Sequence, residues 1–398
     1  MRLERFLKNP RVTPLEMVVT ARAHLLKGVR GREVLVVQDT TSLRDDGHKR
    51  GLYLHAAIVI DAADGALLGL LAADVLVRDE TPKVHCNKRG LVEKESRRWV
   101  EVAELAADLL AAGARRVTVV ADREADLYEM FACLPEGVDV LVRARHDRCL
   151  ADGGRLFESC AGQPEQGRET IELPSIPGRP ARVATFGLYA RRVSIKRPKR
   201  NRAEWAAALP ASTGLTLVEA REIDPPAGET PAHWRLLTTR TVENPDEARL
   251  IVAYYRRRWV IEQVFRVMKT KGFDIEAVPV RENAPLANLG CATLIAAIHI
   301  QQMVHDRDGL AARPMTDVFE PADQPVIEAI GRTLEGRTER QRNPHPSNSL
   351  AHATWICARL GGWTGYYGKP GPIVLVRGHQ RLLTMLEGIK RSGLVRIA

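Results

Sequence analysis

Three acidic residues stand where a carboxylate has chemical work available. Asp39 closes the apolar run EVLVVQD, and Asp122 closes VTVVAD. Both read as the C-terminal ends of β-strands, where reactive groups are often carried. Two carboxylates brought together there repel each other unless a cation joins them. Mg2+ suits such a pair, because it takes hard oxygen ligands and keeps waters for chemistry. Each residue alone has an ordinary reading as well. Asp39 before Thr40 and Thr41 fits an Asx-turn, and Asp122 fits a helix N-cap.

The third acid is Glu262. It lies in YYRRRWVIEQVFRVMK (254–269), among Arg256, Arg257, Arg258, Arg266 and Lys269. On a helix turning about 100° per residue, Arg258, Glu262 and Lys269 fall within about 60° of Tyr255 and form one narrow stripe. Val260, Ile261, Val264, Phe265 and Met268 cover another sector and are expected to pack on the core. A surface pair of Arg258 with Glu262 accounts for two of the four stripe residues. A third metal-holding carboxylate beside phosphate-holding cations accounts for all four.

The elements that must position these groups are legible in pattern. Residues 13–27 read as a helix with Leu15, Val18, Val19, Ala23 and Leu26 on one side, although Arg22 falls there too. Residues 33–43 read as a buried strand running into a polar loop. Residues 53–77 are two apolar runs joined by Asp64-Gly65, a β-hairpin signal. Residues 93–112 form an amphipathic helix ended by Gly113. A strand follows from 115 and delivers Asp122, then a helix, then a strand over 139–145. This order predicts an α/β layer with a mixed sheet. Between about 146 and 233 the sequence turns to Gly, Pro and Thr with short alternating runs, which predicts an antiparallel β insertion. Helical pattern resumes over 246–271 and dominates from about 286.

Composition narrows the partners. The 398 residues carry a formal charge of +10, which favours a polyanion. Six scattered cysteines without a CxxC argue against a zinc ribbon and against a disulfide scaffold. The opening MRLERFLKNP has no apolar core for a signal peptide. The apolar run 294–300 is too short to span a bilayer and is expected to be a buried helix, so no membrane partner is expected. The run RRVSIKRPKRNR (191–202) reads as a phosphate-contacting segment without sequence preference. Asp45, Asp46 and His48 read as a polar loop, and His85-Cys86 has no partner at zinc-ligand spacing.

Tyr255, Arg258, Glu262 and Lys269 together form a Y-x2-R-x3-E-x6-K pattern. It resembles the signature of bacterial DDE transposases of the insertion-sequence-four family. VQDTTSL around Asp39 and ADREAD around Asp122 are similar to that family's first and second acidic motifs. GETPAHWRLLTT (228–239) and ARLGGW (358–363) are similar as well, so the resemblance covers nearly the whole chain.

The resemblance implies an RNase H-like core, a mixed sheet with flanking helices, interrupted by the antiparallel β insertion and followed by a helical C-terminal region. The implied organisation is a remnant N-terminal helical segment (1–32) and the first part of the core (33–145). The β insertion (146–240), the second part of the core with the glutamate helix (241–300) and a C-terminal dimerisation region (301–398) complete it. Asp39 comes early, so most of the N-terminal DNA-binding domain of such relatives is expected to be lacking. The implied metal triad is Asp39, Asp122 and Glu262, holding two Mg2+ ions for which Mn2+ can substitute. Implied DNA contacts are Tyr255, Arg258 and Lys269, with Arg143 and Arg145 in VRARH, which also read as rim charges on a strand. Trp234 is similar to a family tryptophan that stacks on a flipped base, although by itself it reads as a core residue of a strand. The implied partners are double-stranded DNA, as transposon ends and target, and a second copy in the DNA complex, in the bacterial cytoplasm at the nucleoid. Two other readings remain: a shortened inhibitor that dimerises with a longer transposase, and an RNase H-like nuclease of another substrate.

Overall fold

The computed structural model describes residues 2–45, 51–78, 95–175, 180–198 and 208–392. Helices α1 (Arg2–Leu7) and α2 (Pro14–Lys27) come first. The side chain of Thr13 accepts a hydrogen bond from the Glu16 amide at 3.2 Å, and Pro14 occupies the first turn, so α2 begins as capping rules require. Its buried side differs from the expected stripe. Val18 and Leu25 are buried, whereas Leu15 and Val19 are 69% and 51% exposed. Arg22 sits on the inner side because its guanidinium Nε donates to the Leu71 carbonyl at 2.8 Å.

Strand β1 (Glu33–Asp45) is followed by β2 (Gly51–Asp61) and β3 (Leu67–Arg78). The last two pair antiparallel through the expected turn. Gly65 takes φ +78°, and the carboxylates of Asp61 and Asp64 accept from the amides of Ala63 and Ala66 at 2.9 and 2.8 Å. Helix α3 (Arg97–Ala111) ends before Gly113, whose φ of +95° favours glycine. Then come β4 (Arg116–Ala121), the short α4 (Tyr128–Ala132) and β5 (Val138–Arg143). The β-rich stretch supplies β6 (Gly167–Leu173), β7 (Arg182–Lys196), β8 (Ser212–Ile223) and β9 (His233–Thr238). Six helices complete the described chain: α5 (Pro245–Arg257), α6 (Trp259–Lys269), α7 (Asn283–Asp306), α8 (Gln324–Leu334), α9 (Leu350–Leu360) and α10 (Pro372–Ser392).

The chain forms two compact units. One comprises Val29–Asp39 and Glu80–Trp259. Its sheet runs β1-β4-β5-β9-β8-β7-β6. β1, β4 and β5 are parallel, and β5 to β6 are antiparallel, so the sheet is mixed. Helix α3 packs on β4 and β5, and α5 packs across the sheet from β4 to β6. Trp99, Leu109, Phe186, Ile251 and Val252 fill the interior between helices and strands. A buried polar node fastens α5 in place. Arg240 meets Glu33 at 2.6 Å, and the Tyr254 hydroxyl donates to the same carboxylate oxygen at 2.9 Å.

The other unit comprises Met1–Gly28, Thr40–Asp79 and Val260–Ala398. Helices α2 and α7 lie on β3, α8 to α10 pack with one another, and α9 and α10 also pack on α7. Helix α7 has 24 residues, and by length and composition alone it is long and apolar enough to cross a membrane. Its polar side chains nonetheless answer to protein partners. Asn288 donates to the carbonyls of Leu7 and Val12 at 2.9 Å, and Gln302 donates to that of Leu68 at 3.2 Å. With Leu294, Ala297 and Met303 fully buried, α7 is a core helix, as the run 294–300 predicted, although far longer than that run.

Candidate functional site

β1 and β4 run parallel with Val36 opposite Val119 and Val37 opposite Val120. Two residues further along each chain stand Asp39 and Asp122. Both acids therefore lie at the same end of the β1–β4 pair, Asp39 still within β1 and Asp122 just past the end of β4. Sequence reading ended the strand near Asp39. Instead β1 continues to Asp45, because its later residues stay extended beside β2. Asp39 thus lies inside a strand, at the point where its pairing with β4 stops, and not in a loop turn.

Asp122 does cap the following turn: Oδ1 accepts from the Glu124 amide at 2.8 Å. A capping carboxylate keeps its charge and its second oxygen, so the structural role leaves a chemical one open.

Arg258 joins Asp39. Its Nη1 donates to Asp39 Oδ2 at 2.6 Å, and each side chain is only 15% exposed. The expected single helix through this region is interrupted here. α5 ends at Arg257 and α6 begins at Trp259, while Arg258 keeps helical dihedrals (φ −51°, ψ −31°). Its amide reaches only three residues back, to the Tyr255 carbonyl at 3.1 Å, a tighter closure than the α-helical one. The angular stripe drawn through 254–269 therefore applies to two helices, one on each side of Arg258.

Around these groups the same unit gathers cations and aromatic rings. Tyr255 is buried and meets Trp234 edge-on, and Trp234 stacks on Phe186 with ring centroids 5.5 Å apart. Arg143 ends β5 and donates to the His233 carbonyl at 3.3 Å. Arg145 is exposed beyond it. Arg123, beside Asp122, is held below the ordinary arginine pKa, first by loss of surrounding water and then by the charge of Arg143. Asp122 and Tyr255 act on it in the opposite sense.

Sequence reading missed Asp126, the third acid of ADREAD. Its buried carboxylate accepts from the amides of Arg145 and His146 at 2.7 and 2.9 Å and holds Arg148 at 2.6 Å. It fixes the loop that carries Arg145. The signal was an acid four residues after another in one motif.

In the other unit, α6 carries Glu262, half-buried, with Ile261, Val264, Phe265, Val267 and Met268 turned inward. Val260 is half-buried, and Val267 takes the inward place expected for it. Lys269 pairs with Glu276 at 2.8 Å, and its Nζ donates to Ser42 Oγ at 3.1 Å.

Part of the basic run 191–202 is engaged within the protein. Arg191 donates to the Ser159 carbonyl at 2.7 Å, and Arg197 donates to that of Leu209 at 2.6 Å. Residues 199–202 lie outside the described residues, as do Asp46, His48, His85 and Cys86. Asp45 ends β1 and accepts from the Tyr53 hydroxyl at 2.9 Å.

Among the described residues, no three His, Cys, Asp or Glu side chains are gathered as a ready metal cage. Asp39 and Asp122 are carboxylates, hard oxygen donors of the type Mg2+ and Mn2+ take. A family model described as a transposase DDE domain matches residues 93–298, just over half of the chain. Asp122, Glu262, Trp234 and the named cations fall inside that span, and Asp39 precedes it.

Proposed function

The chain belongs to the transposase DDE domain family, and on that premise we propose that it cuts DNA at transposon ends and joins them to target DNA. Family membership implies DNA as the substrate and a divalent metal ion as the usual cofactor. The finer reading places the chain in the insertion-sequence-four family, with particular likeness to the transposase of bacterial transposon five. Asp39, Asp122 and Glu262 are the metal ligands. These carboxylates would hold two Mg2+ ions, or Mn2+ in their place, which would supply charge stabilisation for the attacking and leaving oxygens.

The chain's own residues do the rest. Arg258, Tyr255 and Lys269 hold the DNA end near the scissile phosphate, and Arg143 and Arg145 hold the flanking backbone. Trp234 receives a base swung out of the stack, which a hairpin intermediate at the transposon end requires. Two copies of the chain act on two ends, with 301–398 as the pairing region and 146–240 as a β insertion in the core, in the bacterial cytoplasm at the nucleoid.

One observation supports this reading: Asp39 and Asp122 follow the last paired residues of two parallel neighbouring strands, with Arg258 against Asp39. The test is Mg2+-dependent cleavage of a duplex bearing the element's own ends. Asp122→Asn is informative because Asn keeps the cap to Glu124 while removing the charge. It and Glu262→Gln are expected to fall to the background rate with duplex binding retained. Undiminished cleavage by either variant removes that residue from the triad. Equal cleavage of duplexes without transposon ends favours the nuclease reading.

A further inference from the structure

Arg258 and Asp39 are assigned opposite tasks, one toward phosphate and one toward metal, yet they hold each other. Nη1 and Oδ2 are 2.6 Å apart, and both side chains are largely shielded from water. A guanidinium on that oxygen puts a positive charge where a divalent cation must approach. In a shielded setting that repulsion is stronger than in bulk water. The planar guanidinium also matches phosphate oxygens two at a time, so a DNA phosphate competes for it.

We propose that Arg258 is a placeholder cation on Asp39, keeping metal affinity low in the DNA-free protein until a DNA phosphate draws the guanidinium away. The inference rests on Asp39 being a metal ligand. It makes metal and DNA binding mutually reinforcing, since a coupling in one direction holds equally in the other. It also gives the DNA-free enzyme a reason not to carry a loaded, cleavage-ready site.

The test reads metal affinity and not cleavage. Free Mn2+ is followed by electron paramagnetic resonance as the full chain is titrated without DNA, for wild type, Arg258→Gln, Arg258→Lys and Asp39→Asn. Arg258→Gln is expected to bind Mn2+ about tenfold more tightly than wild type, the order of one removed charge repulsion in a partly shielded site. Arg258→Lys, which keeps the charge, is expected to stay near wild type. Asp39→Asn is expected to lose the site.

If Arg258→Gln shows equal or weaker affinity while Asp39→Asn still loses the site, the placeholder is overturned and Asp39 remains a ligand. If Asp39→Asn leaves Mn2+ binding unchanged, the metal reading of Asp39 itself fails. Should Arg258→Gln not fold by circular dichroism, wild type alone decides. A short duplex that leaves its Mn2+ affinity unchanged overturns the coupling.

Discussion

Trp234 meets Tyr255 edge-on at 6.0 Å, while its face lies against Phe186 at 27° between planes. Two aromatic neighbours thus fix the indole from one face and one edge. Stacking on a displaced base is worth about 1–3 kcal/mol. Trp234→Ala is therefore expected to lower hairpin formation at the DNA end about tenfold or more, with duplex binding changed only slightly. Tyr255→Phe, which keeps the ring, is expected to leave the indole in place. Fluorescence of a 2-aminopurine at the terminal position reports the displaced base. An unchanged signal and hairpin yield in Trp234→Ala would remove the stacking role.

Asp126 gives a prediction about stability. Its carboxylate is fully buried and answers two backbone amides and the Arg148 guanidinium. Removing one partner of a buried pair leaves the other charge uncompensated, at a cost of about 3–5 kcal/mol. Asp126→Ala is expected to shift the urea midpoint accordingly. Glu104→Ala breaks the more exposed pair with Arg97 and is expected to change stability by about 0.5 kcal/mol or less. Equal effects in the two variants would contradict the assignment.

A pH dependence follows from His299 and His379, whose rings lie 6.4 Å apart. Burial pulls both down from 6.5 to about 4, and His379 and His24 add repulsion at His299. The unfolded chain takes up these protons below about 6.5, whereas the folded chain resists them until about 4. Stability is then level above about 6.5 and falls as pH drops toward 4, by on the order of 3 kcal/mol for each ring. His379→Gln should flatten that fall. Urea midpoints at pH 7, 5.5 and 4.5 measure it, and a slope unchanged by the substitution would exclude the pair as its source.

Much of the sheet was readable, because apolar runs closed by turn residues announce strands locally. Asp64-Gly65 and Gly113 punctuate the chain where their side-chain and backbone preferences demand. What escaped reading depends on distant partners. TTSLRD looks like a loop until β2 stands beside it and keeps β1 extended to Asp45. Arg22 spoiled an apolar stripe until the Leu71 carbonyl supplied its partner, and the buried face turned to Val18 and Leu25. The break at Arg258 is invisible to periodicity, since its dihedrals stay helical. At the candidate site, that Asp39 and Asp122 follow neighbouring parallel strands needed the β1–β4 pairing, which neither strand states alone. Asp126 was overlooked because an acid that serves the backbone looks, in sequence, like one that faces water.

The pairing of β5 with β9 sets a limit on modularity. Val142 is opposite Leu237 and Arg143 opposite Leu236, so the segment that interrupts the α/β order returns as the next strand of the same sheet. Excising it would strip β5 of a neighbour and expose a row of unpaired amides and carbonyls, a template for association between chains. That β-rich stretch is therefore joined to the parallel strands through the second half of its final strand. A chain trimmed there would keep every acidic motif and still bare that strand edge.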